Sequence, residues 1–306
     1  MAGEIAGAIT GPVLVSGATG FVGGHLVRHL TVMGVAVGVL VRGSSDLSRL
    51  DAAATILSHH GGTEELHAVV RRFAPRSVVH LASHFVAEHQ PHDVETLIGA
   101  NLLFATQLAD AAAAAGVERF VNTGTAWQHF EGALYNPVCL YAATKQAFDD
   151  ILRFYRERDG LRVVTLELSD TYGPGDRRRK LVPLLLQRVR DRQRLGMSAG
   201  EQRISLVFIS DVVAAFVRAL EIVGDLSPGQ EARFAVSAPE QPRLRDLVAL
   251  VERLAGATLD IGWGELPYRR REVMVPWQGP VLPGWRPEID LATGIARVLE
   301  AADVPD

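Results

Sequence analysis

Cysteine is almost missing from this chain: Cys139 is the single one in 306 residues. One thiol closes no internal disulfide and builds no cysteine-rich zinc motif. A reducing compartment, the cytoplasm, is therefore the expectation. Excess charge of either sign is missing too, since 31 Lys+Arg against 35 Asp+Glu leave a net charge of −4. A nucleic-acid binder normally shows a basic face, so nucleic acid is not an expected partner. Long apolar runs are scarce. Gly, Arg or His interrupt them before the roughly 18 residues of a membrane span, and no membrane partner is expected. Residues 1–10 carry Glu4 and no basic cluster, so they do not read as a secretory signal. What is there is ordinary globular material: 48% hydrophobic and 22% charged residues, enough to build a sizeable core. The length suits two domains or one large one.

Short β-branched runs alternate with helical periods through the first half. Val13-Leu14-Val15 reads as a buried strand. Phe21, Val22, Leu26 and Leu30 then recur at a helical period over Phe21–Met33. Further strands are expected at Val35–Val41, Thr55–Leu57, Ser77–Leu81, Arg119–Val121 and Arg162–Leu168. Helices are expected at Glu64–Phe73, Glu95–Ala115 and Tyr141–Arg158. Such alternation means βαβ units and a doubly wound parallel sheet, an α/β fold. Past Gly173-Pro174-Gly175 the order becomes irregular. A helix is expected at Leu181–Arg192, a strand at Ile204–Phe208, a helix at Val212–Val223, a strand at Arg233–Val236 and a helix at Leu244–Leu254. The tail Trp263–Pro287 is rich in Pro, Gly and Trp, and Trp263, Trp277 and Trp285 read as packing residues.

The first strand–helix junction is Val13-Leu14-Val15-Ser16-Gly17-Ala18-Thr19-Gly20-Phe21-Val22-Gly23. Small residues let this backbone turn sharply and approach a pyrophosphate, and the helix N-terminus offers free N–H groups to it. Gly17, Thr19, Gly20, Phe21, Val22 and Gly23 are thus candidate dinucleotide contacts. The spacing is GxxGxxG rather than the general GxGxxG. After the second strand comes Arg42 in place of an acid, followed by Gly43 and Ser44. A guanidinium suits a ribose 2′-phosphate in charge and geometry, so the expected cofactor is NADP(H), with Ser44 adding a hydroxyl. The alternative is a surface Arg42, with Asp46 contacting the ribose.

Tyr141 and Lys145 stand four apart at the start of a long helix and so share a face. An ammonium beside a phenol lowers the phenol pKa, and such a Tyr can exchange a proton with a carbonyl. With the glycine loop, these residues make the chain resemble the extended short-chain dehydrogenase/reductase family. Further matches are His80-Leu81-Ala82-Ser83, the helical Asn101, Thr123-Gly124-Thr125, Tyr172-Gly173-Pro174-Gly175-Asp176, Phe208-Ile209-Ser210-Asp211-Val212 and Gly284-Trp285-Arg286-Pro287. The resemblance implies a Rossmann domain over residues 1–172 plus about 203–232. It also implies a smaller mixed α/β nucleotide-sugar lobe over 173–202 and 233–306, and homodimers through a four-helix bundle.

The roles it implies are these. Tyr141 donates the proton, Lys145 tunes it and holds the nicotinamide ribose, and Asn101 supports Lys145 through water. Thr125 gives the second hydrogen bond to the carbonyl, with Thr123 as the alternative. Leu81, Ala82, Ser83, Thr123, Leu168, Ser169 and Asp170 lie along the cofactor. His84 and Trp127 face the sugar. Arg177, Arg178 and Arg179 meet the substrate pyrophosphate or, alternatively, form a solvated charged loop. The chain departs from the family at Gly62, where the family carries an acid, and at Glu167-Leu168-Ser169-Asp170 in place of RxxN.

The segment Thr123-Gly124-Thr125-Ala126-Trp127-Gln128 resembles a narrower group of deoxysugar 4-ketoreductases similar to CDP-abequose synthase. A 4,6-dehydratase needs an acid and a base beside the catalytic Thr, and Ala126 and Trp127 are neither. A 4-epimerase recycles a tightly held NAD, whereas Arg42 favours NADP(H) exchanged as a cosubstrate. The expected reaction is reduction by NADPH of the C4 keto group of a dTDP- or CDP-linked 4-keto-6-deoxyhexose. An epimerase or another oxidoreductase of the family is the alternative, and a non-catalytic NADP-binding regulator is the reading from a different class. Among His59, His60, His80, His84, His89 and His92 only His80 and His84 have a metal-like spacing, and no metal is expected. Cys139 needs no role.

Overall fold

The computed structural model describes residues 9–48 and 50–303. The chain begins β1 (Val13–Ser16), α1 (Phe21–Val32), β2 (Val37–Arg42), β3 (Thr55–His59), α2 (Thr63–Phe73) and β4 (Ser77–His80). It continues α3 (Asp93–Ile98), α4 (Phe104–Ala114), β5 (Arg119–Thr125), α5 (Leu140–Asp159), β6 (Arg162–Leu168) and β7 (Asp170–Tyr172). Then come α6 (Leu181–Asp191), β8 (Leu195–Met197), β9 (Leu206–Phe208), α7 (Ile209–Asp225), β10 (Glu231–Val236), α8 (Leu244–Ala255), β11 (Ile261–Trp263) and α9 (Leu291–Asp303).

Seven strands form one parallel sheet in the order β3-β2-β1-β4-β5-β6-β10. β1 and β4 are buried along their whole length, which is why they read as continuous apolar runs rather than alternating ones. α1 and α7 pack on one face, with Leu26, Val27, Leu30, Phe216 and Leu220 in a core shared with Val13 and Val15. α2, α4 and α5 cover the other face around Leu14, Val78, Phe120, Phe148 and Leu152. The order reverses between β2 and β4 about β1. A crevice opens at such a switch point beyond the strands' carboxyl ends.

Sequence and structure differ at several places. β10 starts at Glu231 and pairs with β6 from Val163 onwards. The sheet therefore takes in residues on both sides of the 232/233 boundary. Short strands β7 and β9 pair with each other, as do β8 and β11. The helix over Glu95–Ala115 is not uniform: a π-helical segment, Gly99–Leu103, separates α3 from α4. That whole stretch, Asp93–Ala114, is long and apolar enough by length and composition to cross a membrane. Here one face of it, Leu97, Ala105, Leu108, Ala109 and Ala112, is buried in the protein. Val94, Ile98 and Leu103 are exposed on it.

Candidate active site

The glycine loop after β1 is shaped by close backbone approach. Gly17 has φ +74°, and a Cβ there would stand 2.5 Å from the Ala82 nitrogen. A Cβ on Gly23 would stand 2.2 Å from the Gly17 carbonyl oxygen. The loop thus lies flat on the segment after β4. Gly20 caps α1 with no side-chain bond to its amides, so the first N–H groups are left for an anion. Gly17, Gly20, Phe21, Val22 and Gly23 line a cleft of about 860 Å³. The cradle fits a dinucleotide pyrophosphate. Thr19 is exposed on the loop, and Ala82 backs Gly17; neither is among the lining residues.

Arg42 and Ser44 are exposed at the end of β2. The turn there is closed by the Arg42 N–H donating to Ser45 Oγ at 3.0 Å and by the Ser45 N–H donating back to the Arg42 carbonyl at 2.9 Å. Both residues stand outside the cleft lining.

The end of β5 brings Thr123 and Thr125 to the cleft. Thr123 donates its hydroxyl to the buried His80 carbonyl at 2.8 Å, so its proton is engaged inside the protein. Thr125 Oγ accepts the Trp127 N–H at 3.3 Å, which leaves its own proton for the cleft. Tyr141 and Lys145 enter the same cleft from α5. Burial draws the Lys145 ammonium down to about 8, opposed by Asp149 one turn further on. Burial also pushes the Tyr141 phenol up, as do Cys139 and Asp170, while a hydrogen bond with Ser83 works the other way. This reverses the expected lowering by Lys145. The four-residue spacing puts the two groups on one face, but Lys145 is not among the groups that shift the phenol, and desolvation leads. The phenol is held protonated, as a donor requires. His80, buried with Ser16 Oγ at 2.8 Å, is held well below its usual pKa, by burial first and Lys145 second.

Asn101 sits in the π-helical segment, buried. Its Oδ1 accepts the His84 N–H at 2.8 Å and the Ser83 hydroxyl at 3.1 Å. Its Nδ2 donates to the His84 carbonyl and to Thr144 Oγ1, each at 3.0 Å. Its direct α5 partner is therefore Thr144, next to Lys145, rather than Lys145 itself. The same clamp corrects the placing of His84. With its backbone held at both ends, His84 is not among the lining residues, and Phe85 is.

Phe85 stands edge-on to Tyr141, with centroids 5.0 Å apart, and 5.5 Å from Trp127. Lys180 Nζ lies 3.8 Å over Phe85, and the Arg269 guanidinium 5.1 Å over Trp127. Of the charged run, Arg178, Arg179 and Lys180 line the cleft; Arg177 does not. Arg178 is held by Asp176 at 2.8 Å and by the Thr171 carbonyl at 2.8 Å, 4.5 Å over the Phe21 ring. It bridges Phe21 at the end of the glycine loop to Thr171 and Asp176. Leu168, Ser169 and Asp170 line the cleft. The carboxylates lining it among the described residues are Asp170 and Glu272, and both are paired, with Lys180 at 3.1 Å and Arg269 at 2.8 Å. Trp263 and Trp285 pack against the core. Trp277 does more: it lines the cleft, stacked 3.8 Å from His129.

Sequence reasoning missed Phe85, Arg269 and Trp277. The Arg269-Arg270-Arg271 run was a signal for the second of these. The histidines disperse: His60 meets Glu65, His59 stacks on Phe104 and His80 meets Ser16. Among the described residues no group of three or more His, Cys, Asp or Glu is placed to hold a metal.

Comparison with known proteins places this geometry. The model of the NAD dependent epimerase/dehydratase family matches residues 13–231. The chain is 25% identical over 300 residues to CDP-abequose synthase of Salmonella typhimurium, spanning 94% of this chain and 97% of that one. It is 28% identical over 315 residues to UDP-glucose 4-epimerase of Mycolicibacterium smegmatis, again covering 94% and 97%. The crystal structure of a Thermus thermophilus UDP-glucose 4-epimerase, in complex with NAD, superposes with a TM-score of 0.83 at 24% identity, covering 95% of this chain and 98% of that one.

Proposed function

Starting from the fact that the chain belongs to the NAD-dependent epimerase/dehydratase family, we propose that it reduces the C4 keto group of a nucleotide-linked 4-keto-6-deoxyhexose with NADPH. The carrier nucleotide is dTDP or CDP. The observation that carries this reading is the set of groups around Tyr141. A protonated phenol and the Thr125 hydroxyl line one cleft together with Phe85, Ala126 and Trp127, and both lining carboxylates are tied up in ion pairs. Elimination of water needs a free acid and a free base, and the positions after Thr125 provide neither. Likeness to CDP-abequose synthase over nearly the whole chain supports the same reading.

Gly17, Gly20–Gly23, Leu81, Ser83, Ser169 and Asp170 would hold the dinucleotide, with Arg42 and Ser44 reaching its 2′-phosphate. Bound NADPH supplies the hydride. As negative charge grows on the carbonyl oxygen, Tyr141 gives it a proton and Thr125 a hydrogen bond; preorganised donors of this kind stabilise a developing alkoxide. Lys145, charged below about pH 8, favours the charge left on the phenolate. The apolar wall suits a sugar edge that carries a methyl group. Exposed Ile98 and Leu103, with Phe154 on α5, support a homodimer that packs these helices against their copies.

A second reading, 4-epimerisation of a nucleotide-sugar, is favoured by the likeness to UDP-glucose 4-epimerases. One assay separates the two. A reductase oxidises one NADPH per CDP- or dTDP-4-keto-6-deoxyhexose converted, and Tyr141→Phe lowers kcat by about 10²–10⁴. Interconversion of C4 epimers with no NADPH consumed overturns the proposal.

A further inference from the structure

Three residues beyond Thr125, the Gln128 side chain is fully buried, with 0% exposure. Its amide is engaged at both ends. Oε1 accepts the Thr125 backbone N–H at 2.9 Å. Nε2 donates to Asp149 Oδ2 at 3.0 Å and to Gln146 Oε1 at 3.1 Å. Both amide hydrogens are therefore used, and turning the amide over would set its oxygen against a carboxylate. Asp149 is buried as well, and gathers the Asn122 amide and the Arg233 guanidinium, each at 2.8 Å. Arg233 comes from β10 at the sheet edge and also meets Glu231 at 2.6 Å. Space for the amide depends on Gly124, where a Cβ would stand 3.0 Å from Gln128 Oε1.

Tyr141, Lys145 and Asp149 follow one another at four-residue steps, on one face of α5. The helix that carries the proton donor thus also carries the anchor of Gln128, and Gln128 holds the backbone of Thr125. We propose that Gln128 is a positioning residue. It fixes Thr125 against α5 so that the Thr125 and Tyr141 hydroxyls converge on one carbonyl oxygen, and Asp149 and Arg233 fix Gln128 in turn. The inference rests on the reading of Tyr141 and Thr125 as the two donors. Misplacing a catalytic group by about 1 Å costs up to about 10²-fold in rate, and that is the range to expect.

The test is a double-mutant cycle on kcat at saturating NADPH and 4-keto sugar nucleotide, using Gln128→Met, Thr125→Ala and the pair. Gln128→Met keeps the side-chain volume and removes the amide. It should lower kcat between about 10- and 100-fold, with KM for NADPH unchanged. Combined with Thr125→Ala it should cost nothing further. A residue that only holds the fold together would multiply its loss in the double variant, and that result overturns the inference, as does a Gln128→Met enzyme within about twofold of parental kcat. Should Gln128→Met fail to fold, Asp149→Asn keeps the shape and loosens the clamp from its far end, and must show the same non-additivity. Near-parental turnover by Thr125→Ala removes the role of Thr125 itself. Loss in Gln128→Met alone, with Thr125→Ala impaired and the double additive, removes only the positioning role.

Discussion

Replacing Lys145 by Met should stabilise the protein while abolishing turnover. The lysine is 2% exposed, and burial draws its pKa from the ordinary 10.5 to about 8. At about 1.4 kcal/mol per tenfold change in proton affinity, that fall corresponds to about 3 kcal/mol of unfavourable charge burial at neutral pH. Methionine has a similar length and no charge to desolvate. Part of the gain is offset because Asp149 loses a favourable neighbour, although it keeps Asn122, Gln128 and Arg233. A net gain of about 1–3 kcal/mol is expected, several degrees in Tm.

The pH dependence identifies the cause. Below about pH 8 both folded and unfolded chains carry the charge, and the penalty stands in full. Between about pH 8 and 10.5 the folded parent has shed a proton that the unfolded chain still binds, so the parent's stability rises with pH over that window. The advantage of the variant is therefore largest near neutrality and closes as pH approaches about 10. Thermal unfolding of both proteins across that range, followed by circular dichroism, measures it. A Lys145→Met variant less stable than the parent at neutral pH, or a gap that does not change with pH, refutes the reasoning.

Gly23→Ala should weaken dinucleotide binding at least about tenfold, since its Cβ would stand 2.2 Å from a backbone carbonyl that cannot yield; fluorescence titration with NADPH reads it, and unchanged affinity would remove the loop from the cofactor site. Arg42→Ala should weaken NADPH by about 10- to 100-fold, the size of one charge-assisted bond, and leave NADH nearly unaffected; equal use of both cofactors by the parent would count against Arg42. Leu103→Glu, made on an exposed apolar position, should shift the sedimentation of a homodimer toward the monomer, and a dimer that persists places the interface elsewhere.

The parallel sheet was legible because β1, β4 and β5 are buried on both faces and read as short apolar runs between helical periods. The glycine loop was legible because its demand for small residues is local: Gly17 and Gly23 are required by contacts within about one turn and by the segment after β4. That Tyr141 and Lys145 share a face followed from helix geometry, and the glycine loop upstream is what gave the pair its weight. Other parts of the site depend on contacts far apart in the chain. The Asn101 clamp, carried on the π-helical segment, holds the backbone of His84, while Phe85 next to it lines the cleft. Trp277 and Arg269 arrive from the tail, seated by the stacking of Trp277 on His129 and by the bond from Arg271 to Asn136. Spacing showed that Tyr141 and Lys145 are neighbours. It carried no information about how dry their surroundings are, and dryness sets the direction of the phenol's shift.

The protonation states in the cleft set the proton that each direction of chemistry must move. The Tyr141 phenol is pushed up by burial and so keeps its proton at neutral pH. Lys145 keeps its charge below about 8. Asp170 and Glu272 are ion-paired with Lys180 and Arg269. Thr125 has a proton to offer, and Thr123 has its own engaged inside the protein. Such a site is stocked with proton donors and short of bases. Reduction of a carbonyl uses donors only: the hydride lands on carbon and the oxygen takes a proton. Oxidation of an alcohol, the opening half of an epimerase cycle, needs a base on the hydroxyl and so starts from the Tyr141 phenolate instead of the phenol. Both directions share that phenolate: donation by Tyr141 creates it and abstraction consumes it, so burial weighs on each, and the Lys145 ammonium lines the same cleft.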